Sequence, residues 1–324
     1  MTDDTFSRRQ FHTVALATAL AATTRPAFAQ GKHAVLGTGA SLQGRRVFPA
    51  NDAWNRPIDR EEVDPLSSMI LRRIGLDKPL HPDFGTTYHD VPNGIPYTVV
   101  PGNQPKVPVT FRYADESDPG PYPIPPDAPI EGGPNGEGDR HVLVVDRDHG
   151  KLYELFNARP EQNGRSWSAS SGAIFDFDKS PARPLGWTSA DAAGLPIFPG
   201  LVRYDEVVGR GVVNHAFRFT VDHSRRAYVP PARHFASRAN DIDLPPMGLR
   251  VRLKPAIDIR KFPASARVIL QALQTHGMIL ADNGGDWFLS GAPDPRWDDE
   301  ELATLKRVKV RDFEVVKMGE LVTR

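Results

Sequence analysis

The residue that most suggests chemistry is Glu154, an acid within an otherwise apolar pattern. In the segment HVLVVDRDHGKLYELF, residues 141–156, two apolar runs flank a polar, glycine-ended turn at residues 147–150. The pattern predicts a hairpin in which Leu143 opposes Glu154. Because side chains alternate along a strand, one face then carries His141, Leu143, Val145, Leu152, Glu154 and Phe156.

A carboxyl group in apolar surroundings has a raised pKa, which suits a general acid. On the predicted face, the His141 imidazole is close enough to share the proton of Glu154. The alternative is a structural carboxylate that is satisfied by backbone groups or by an arginine. Glu154 and His141 are therefore candidate catalytic residues, with the structural interpretation left open.

A second group of acids lies in residues 186–207, where Asp191, Asp205 and Glu206 accompany Trp187 and Arg203. Paired acids beside an aromatic ring are typical of enzymes that cleave glycosidic bonds. A strand over GLVRYDEVV would place Asp205 and Glu206 on opposite faces, so both could not serve one site. Asp191 is then the third catalytic candidate, although an acid in the tight loop SADAAG more often caps a turn.

Aromatic and arginine side chains also support a non-catalytic alternative, a module that binds a glycan or another surface. Flat rings pack against sugar faces, and guanidinium groups donate several hydrogen bonds. The candidate ligand-binding residues are Trp187, Arg203, Glu206, Arg218 and Trp287.

Two histidines suggest a third possibility, a metal-dependent enzyme. If a turn centres on residues 224–225, His215 and His234 become direct cross-strand partners, about 5 Å apart at Cβ. His215 shares its face with Phe217 and Phe219, however, which is typical of a core histidine. No third ligand with suitable spacing completes the set. The sequence therefore requires no cofactor, and a divalent metal remains possible.

The elements around these residues are mostly short strands separated by proline- and glycine-rich turns. Helical spacing is confined to segments near residues 65–75, 265–277 and 298–308. This pattern predicts a mainly β fold, a β-sandwich or jelly-roll-like core with two or three peripheral helices. An α+β fold is the alternative. We expect a second hairpin through residues 283–285 and a single β-rich domain over residues 47–324.

The first 29 residues combine Arg8 and Arg9 with an apolar run and an Ala-Phe-Ala cleavage site ending at Ala29. These features predict a twin-arginine signal peptide, followed by a flexible mature N-terminus over residues 30–46. The apolar run is shorter than the roughly 20 residues that span a bilayer. We therefore expect a periplasmic or extracellular protein that meets the twin-arginine export machinery in transit and has no membrane span.

Composition excludes several classes of function. The chain has 40 basic and 40 acidic residues, so nothing in its net charge favours nucleic acid or an anionic membrane. It has no cysteine, which excludes disulfides, cysteine-ligated iron–sulfur clusters and a thiol nucleophile. A bound cofactor would need His, Asp, Glu or oxygen ligands.

Several phrases resemble those of a family of secreted bacterial proteins whose activity is unassigned. They are FPANDAWN, HVLVVDRD, GWTSADAAGLPIFPGLVRYDEV and GMILADNGGDWFLSG, and together they extend over nearly the whole mature chain. The resemblance implies work outside the cytoplasm, on glycans. It supplies no catalytic residues. The leading hypothesis is a secreted glycoside hydrolase or polysaccharide lyase that uses acid and base carboxylates.

Export should depend on the two guanidinium groups of the signal. Exchange of both Arg8 and Arg9 for lysine keeps the charge but removes the recognised groups. We expect the double variant to accumulate in the cytoplasm with its signal uncleaved, as measured by fractionation and mass spectrometry. Normal processing of the variant would contradict the twin-arginine interpretation.

Overall fold

The computed structural model describes residues 36–323. Over this range the fold is mainly β, with several mixed sheets and a curled half-barrel, which confirms the predicted fold class. The predicted signal peptide lies outside the described residues. The described residues belong to one compact unit. None of the helices among residues 36–323 is both long enough and apolar enough to cross a membrane.

The strands among residues 36–323 are short, between two and six residues each. In chain order they are β1 Gly37–Thr38, β2 His81–Asp83, β3 Thr87–Tyr88, β4 Val91–Pro92, β5 Tyr97–Val100, β6 Val109–Phe111, β7 Val142–Asp146, β8 Lys151–Phe156, β9 Arg159–Glu161, β10 Ser166–Ala169, β11 Ser171–Asp176, β12 Phe217–Val221, β13 Arg250–Leu253, β14 Met278–Asn283, β15 Phe288–Ser290 and β16 Phe313–Val315. The α-helices are α1 Ser67–Ile74, α2 Ala264–Thr275 and α3 Asp299–Ala303.

The predicted hairpin forms the centre of a five-stranded sheet with the order β1-β5-β7-β8-β11. Leu143 faces Glu154 and Val145 faces Leu152, in the register that the turn predicts. Both faces of this hairpin are buried. Leu143 and Leu152 belong to one hydrophobic cluster, whereas Val142 and Leu155 belong to another on the opposite face. The sheet therefore separates two apolar cores.

A six-stranded sheet with the order β16-β13-β14-β12-β15-β2 supplies the other side of the larger core. Phe219 of β12 and Leu280 of β14 belong to the same cluster as Leu143. β12 pairs in parallel with β14 and antiparallel with β15. The predicted hairpin through residues 283–285 is therefore wrong, because β12 lies between its two strands.

Two further sequence predictions differ from the structure. The segment GLVRYDEVV is not a strand: Asp205–Arg210 forms a π-helix that ends at Gly211. The described part of the predicted mature N-terminus, residues 36–46, also packs against the rest of the fold. β1 pairs with β5, and Ser41 donates a hydrogen bond of 2.8 Å to Asp205. Both differences depend on contacts with residues distant in the sequence.

Helix α2 ends as the sequence predicts, at a glycine. Gly277 adopts a φ of +68°, and a Cβ atom at this position would lie 2.1 Å from the Val251 carbonyl oxygen. Only glycine allows this approach. The close turn leads the chain directly from α2 into β14, the strand that carries Asp282.

Substitution Gly277→Ala should destabilise the fold by about 3 kcal/mol, from left-handed backbone strain together with the clash at Val251. Gly211 is the matched control, because its φ is +69° and no atom would lie within 4 Å of an added Cβ. Gly211→Ala should cost only the strain, about 1 kcal/mol. Denaturant unfolding measures both values, and equal costs would contradict the proposed clash.

Candidate functional site

A buried arginine, Arg218 of β12, organises the candidate site. Its Nε and Nη2 atoms donate hydrogen bonds of 2.8 and 2.7 Å to the two carboxylate oxygens of Asp191. Its Nη1 donates a bond of 2.6 Å to Ser290 Oγ at the end of β15. All three residues are buried. The pairing explains how a guanidinium group is accommodated in the interior, since an unpaired buried charge is costly.

A tight loop presents Asp191 to Arg218. The Ser189 hydroxyl accepts a hydrogen bond of 2.9 Å from the Asp191 N–H and donates one of 3.0 Å to the Asp191 carbonyl. The Gly194 N–H donates to the same carbonyl at 3.0 Å. These bonds form the turn that the sequence predicts at SADAAG. The Asp191 side chain is free of the turn and instead binds Arg218.

A second acid, Asp282, lies beside this ion pair. It is on β14 opposite Thr220 of β12, and its Oδ2 is 3.5 Å from Arg218 Nη2. Burial raises the pKa of Asp282, the negative charge of Asp191 raises it further, and Arg218 opposes both, with a result of about 7. The side chain nevertheless keeps 22% of its exposure. Asp282 is therefore an acid that still holds a proton near neutral pH and can reach solvent.

Glu154 is in a different position from Asp282, because it is fully buried. Its carboxylate accepts hydrogen bonds from the Ile197 N–H, at 3.0 and 2.9 Å, and from the Phe198 N–H, at 2.8 Å. Burial raises its pKa to about 7 against the effect of these bonds. The arrangement is that of a carboxyl satisfied by the backbone, so Glu154 supports the chain at residues 197–198 and has no contact with solvent.

His141 binds two acceptors and neither is Glu154. Its Nδ1 is 2.6 Å from Glu131 Oε2, and its Nε2 is 3.1 Å from the Ala190 carbonyl. Burial lowers the pKa of His141, but the Glu131 carboxylate overrides this effect and raises it to about 9. Burial likewise raises the pKa of Glu131, and His141 overrides it and lowers the value. The predicted sharing of a proton between His141 and Glu154 is replaced by this ion pair.

A pocket of about 350 Å³ opens beside Asp282. Of the predicted catalytic residues it contains only Asp191. Its wall is formed by acids, hydroxyl groups, a histidine and two aromatic rings. The lining residues are Tyr113, Glu116, Asp139, Phe156, Ser171, Thr188, Ser189, Ala190, Asp191, Ala192, His234, Ala236, Asp282 and Asn283.

His234 is placed on this pocket by the same loop that carries Asp191. Its Nδ1 is 2.8 Å from the Ala192 carbonyl, which can only accept a hydrogen bond. The proton of a neutral ring is therefore on Nδ1, and Nε2 keeps a lone pair. Nε2 has no hydrogen-bond partner among residues 36–323. The pocket thus contains a potential base as well as the acid Asp282.

The expected pairing of His215 with His234 is wrong. His215 precedes β12, whose neighbours are β14 and β15, and its Nε2 is 2.9 Å from Glu206. His234 lies outside the strands, on the pocket beside Asp282. Within residues 36–323, no group of three or more His, Asp or Glu side chains is arranged to hold a metal ion. The two histidines therefore belong to separate sites.

The predicted ligand-binding residues are divided among several environments. Trp287 is fully buried and packs edge-on against Phe219 and Phe313, so it contributes to the core. Trp187 is half-buried beneath the Arg183 guanidinium. Arg203 and Glu206 form a buried ion pair, with 2.7 Å between Nη2 and Oε2. This pair lines a different pocket from that of Asp282. Arg218 supports the pocket wall from within.

Sequence reasoning missed Asp282 and Glu131. The available signal for Asp282 was an acid at the end of the apolar strand MILAD, a position at the edge of a buried sheet. Its neighbours Asp191 and Arg218 are distant in the sequence, so their effect on its pKa has no local signature. Glu131 lies in a proline- and glycine-rich segment without periodicity.

Substitution Asp191→Asn should reveal how strongly the site depends on its buried ion pair. Among residues 36–323, loss of the charge leaves Asp282, at 3.5 Å, as the only anionic partner of Arg218, so we expect a cost on the order of 3 kcal/mol. The matched control is Asp258→Asn, which removes a carboxylate that accepts two similar hydrogen bonds from Arg260 at the surface. The control should show no resolvable change in denaturant unfolding. Equal effects of the two substitutions would contradict a structural role for the buried pair.

Comparison of the chain with known proteins found no relative. No protein-family model, curated protein or solved structure matches the chain. The resemblance to secreted bacterial proteins stays a prediction from sequence motifs. Function must therefore be inferred from the residues of the pocket.

Proposed function

We propose that the protein is a carbohydrate-active enzyme that cleaves glycosidic bonds in the Asp282 pocket. The observation that carries the proposal is the state of Asp282, a partly exposed acid whose pKa is raised to about 7. An acid of this kind can donate a proton to a leaving oxygen at neutral pH. Asp282 thereby replaces Glu154 and Asp191, whose carboxyl groups are fully buried, as the acid.

The second group that the reaction needs is a base. Nε2 of His234 can remove a proton from an attacking water in a hydrolase. In a polysaccharide lyase, the same atom would instead remove a proton from a sugar carbon. Both reactions release a new sugar end, and both use Asp282 to protonate the departing oxygen.

The remainder of the wall favours a sugar as the ligand. Glu116 and Asp139 supply carboxylate oxygens that can accept hydrogen bonds from sugar hydroxyls. Tyr113 and Phe156 supply aromatic surface for the apolar face of a sugar ring. Export by the twin-arginine route would place this activity in the periplasm or outside the cell, where envelope and environmental glycans are found.

Substitution Asp282→Asn should greatly slow cleavage without loss of the fold. The amide has the shape of the protonated acid but has no acidic proton, so we expect a fall of about a hundredfold or more in the rate. Release of reducing ends from a panel of polysaccharides measures the rate, and ultraviolet absorbance identifies a lyase product. Asp222→Asn, at an exposed acid after β12, is the control and should keep full activity.

The pH profile distinguishes the role of Asp282 from a merely structural one. A donor must be protonated, so cleavage should fall about tenfold per pH unit above pH 7. The residual activity of Asp282→Asn should not show this decrease above pH 7. Activity that rises from pH 7 to 9 would contradict the proposal. Binding of oligosaccharide without any release of reducing ends would favour the non-catalytic glycan-binding alternative.

A further inference from the structure

A second pocket, separate from the Asp282 pocket, includes four arginines among its eleven lining residues. It has a volume of about 180 Å³ and lies between residues 44–47 and the segment 199–215. A pocket of this size has room for a polyatomic ion in addition to water. Four of its lining residues carry guanidinium groups: Arg45, Arg46, Arg203 and Arg210.

Among residues 36–323, Glu206 is the only carboxylate that lines this pocket, and it already contacts two arginines and a histidine. Its Oε2 is 2.7 Å from Arg203 Nη2 and 2.9 Å from His215 Nε2, and its Oε1 is 3.8 Å from Arg210 Nη1. Burial raises the pKa of Glu206, but Arg203 and His215 outweigh burial and lower the value to about 2. Glu206, together with Asp205 at 3.9 Å from Arg203 Nε, therefore sets two carboxylates against four guanidinium groups.

The arginines at the entrance lack an anionic partner. Within residues 36–323, neither Arg45 nor Arg46 makes an ion pair. The Arg45 guanidinium donates to the Arg147 carbonyl and packs over Phe177, so a chain contact fixes its position. Arg210 is only loosely paired, at 3.8 Å. In the wall, Arg203 Nε is buried without a hydrogen-bond acceptor among the described residues, and the Asp205 carboxylate lies 3.9 Å from it.

We propose that this pocket binds a small oxyanion: a carboxylate, phosphate or sulfate group. Planar guanidinium groups match the oxygens of such anions with paired hydrogen bonds, and the site holds an excess of positive charge. Glu206 and His215 orient Arg203 from within, while Arg46 and Arg210 are the part-exposed groups that contact the anion. The site uses none of the residues of the Asp282 pocket and does not depend on the proposed catalytic function.

Isothermal titration calorimetry of the whole protein with inorganic phosphate, sulfate and glucuronate, at constant ionic strength set by chloride, tests the site. We expect saturable binding of at least one of the three anions. Binding of glucuronate alone would identify a carboxylate, and binding of phosphate or sulfate alone a tetrahedral anion. Absence of saturable binding by all three would overturn the proposal.

Variants then locate the anion. Arg46→Ala should weaken binding by about tenfold or more, and Arg46→Lys should restore part of the loss. Arg60→Ala is the control, since the Arg60 side chain is 95% exposed and lies outside the pocket. Asp282→Asn should bind the anion as the parent protein does. An unchanged affinity in Arg46→Ala, or a loss in Arg60→Ala or Asp282→Asn, would place the anion elsewhere and overturn the proposal.

Discussion

The ion pair between Arg218 and Asp191 is the interaction on which the site depends. A guanidinium group in the interior is stable only with a paired carboxylate and further acceptors, and Arg218 obtains these from Asp191 and Ser290. The pairing ties β12 to β15 and to the loop of residues 189–194. Burial raises the pKa of the second acid, Asp282, the paired Asp191 carboxylate raises it further, and Arg218 only partly opposes them, so the pKa is about 7.

The carboxyl groups of this region differ in burial, and their roles differ accordingly. Glu154 and Asp191 are fully buried, and each binds groups of the protein itself: backbone N–H groups for Glu154 and a guanidinium for Asp191. Asp282 has the same raised pKa as Glu154 but is 22% exposed. A raised pKa therefore does not identify a catalytic acid unless the group also reaches a pocket.

The elements that depend on local pattern could be predicted from the sequence. The hairpin of β7 and β8 follows from alternation around a single turn, and the end of α2 follows from Gly277. The sequence also places Glu154 on the apolar face. The π-helix at Asp205–Arg210 and the insertion of β12 between β14 and β15 could not be predicted, because each depends on partners far along the chain. The same holds for Asp282, whose pKa is determined by its burial in the fold and by the charges of Asp191 and Arg218.

Carbon-13 NMR of the protein with labelled aspartate carboxyl groups tests the account most directly. The Asp282 resonance is assigned by its absence in Asp282→Asn, and its shift is followed from pH 3 to 9. The account predicts a midpoint of about 7 for this carboxyl, and a lower midpoint in Asp191→Asn, where the neighbouring negative charge is gone. A midpoint near 4, the usual value for aspartate, would contradict the central claim that burial and the neighbouring Asp191 charge together keep Asp282 protonated.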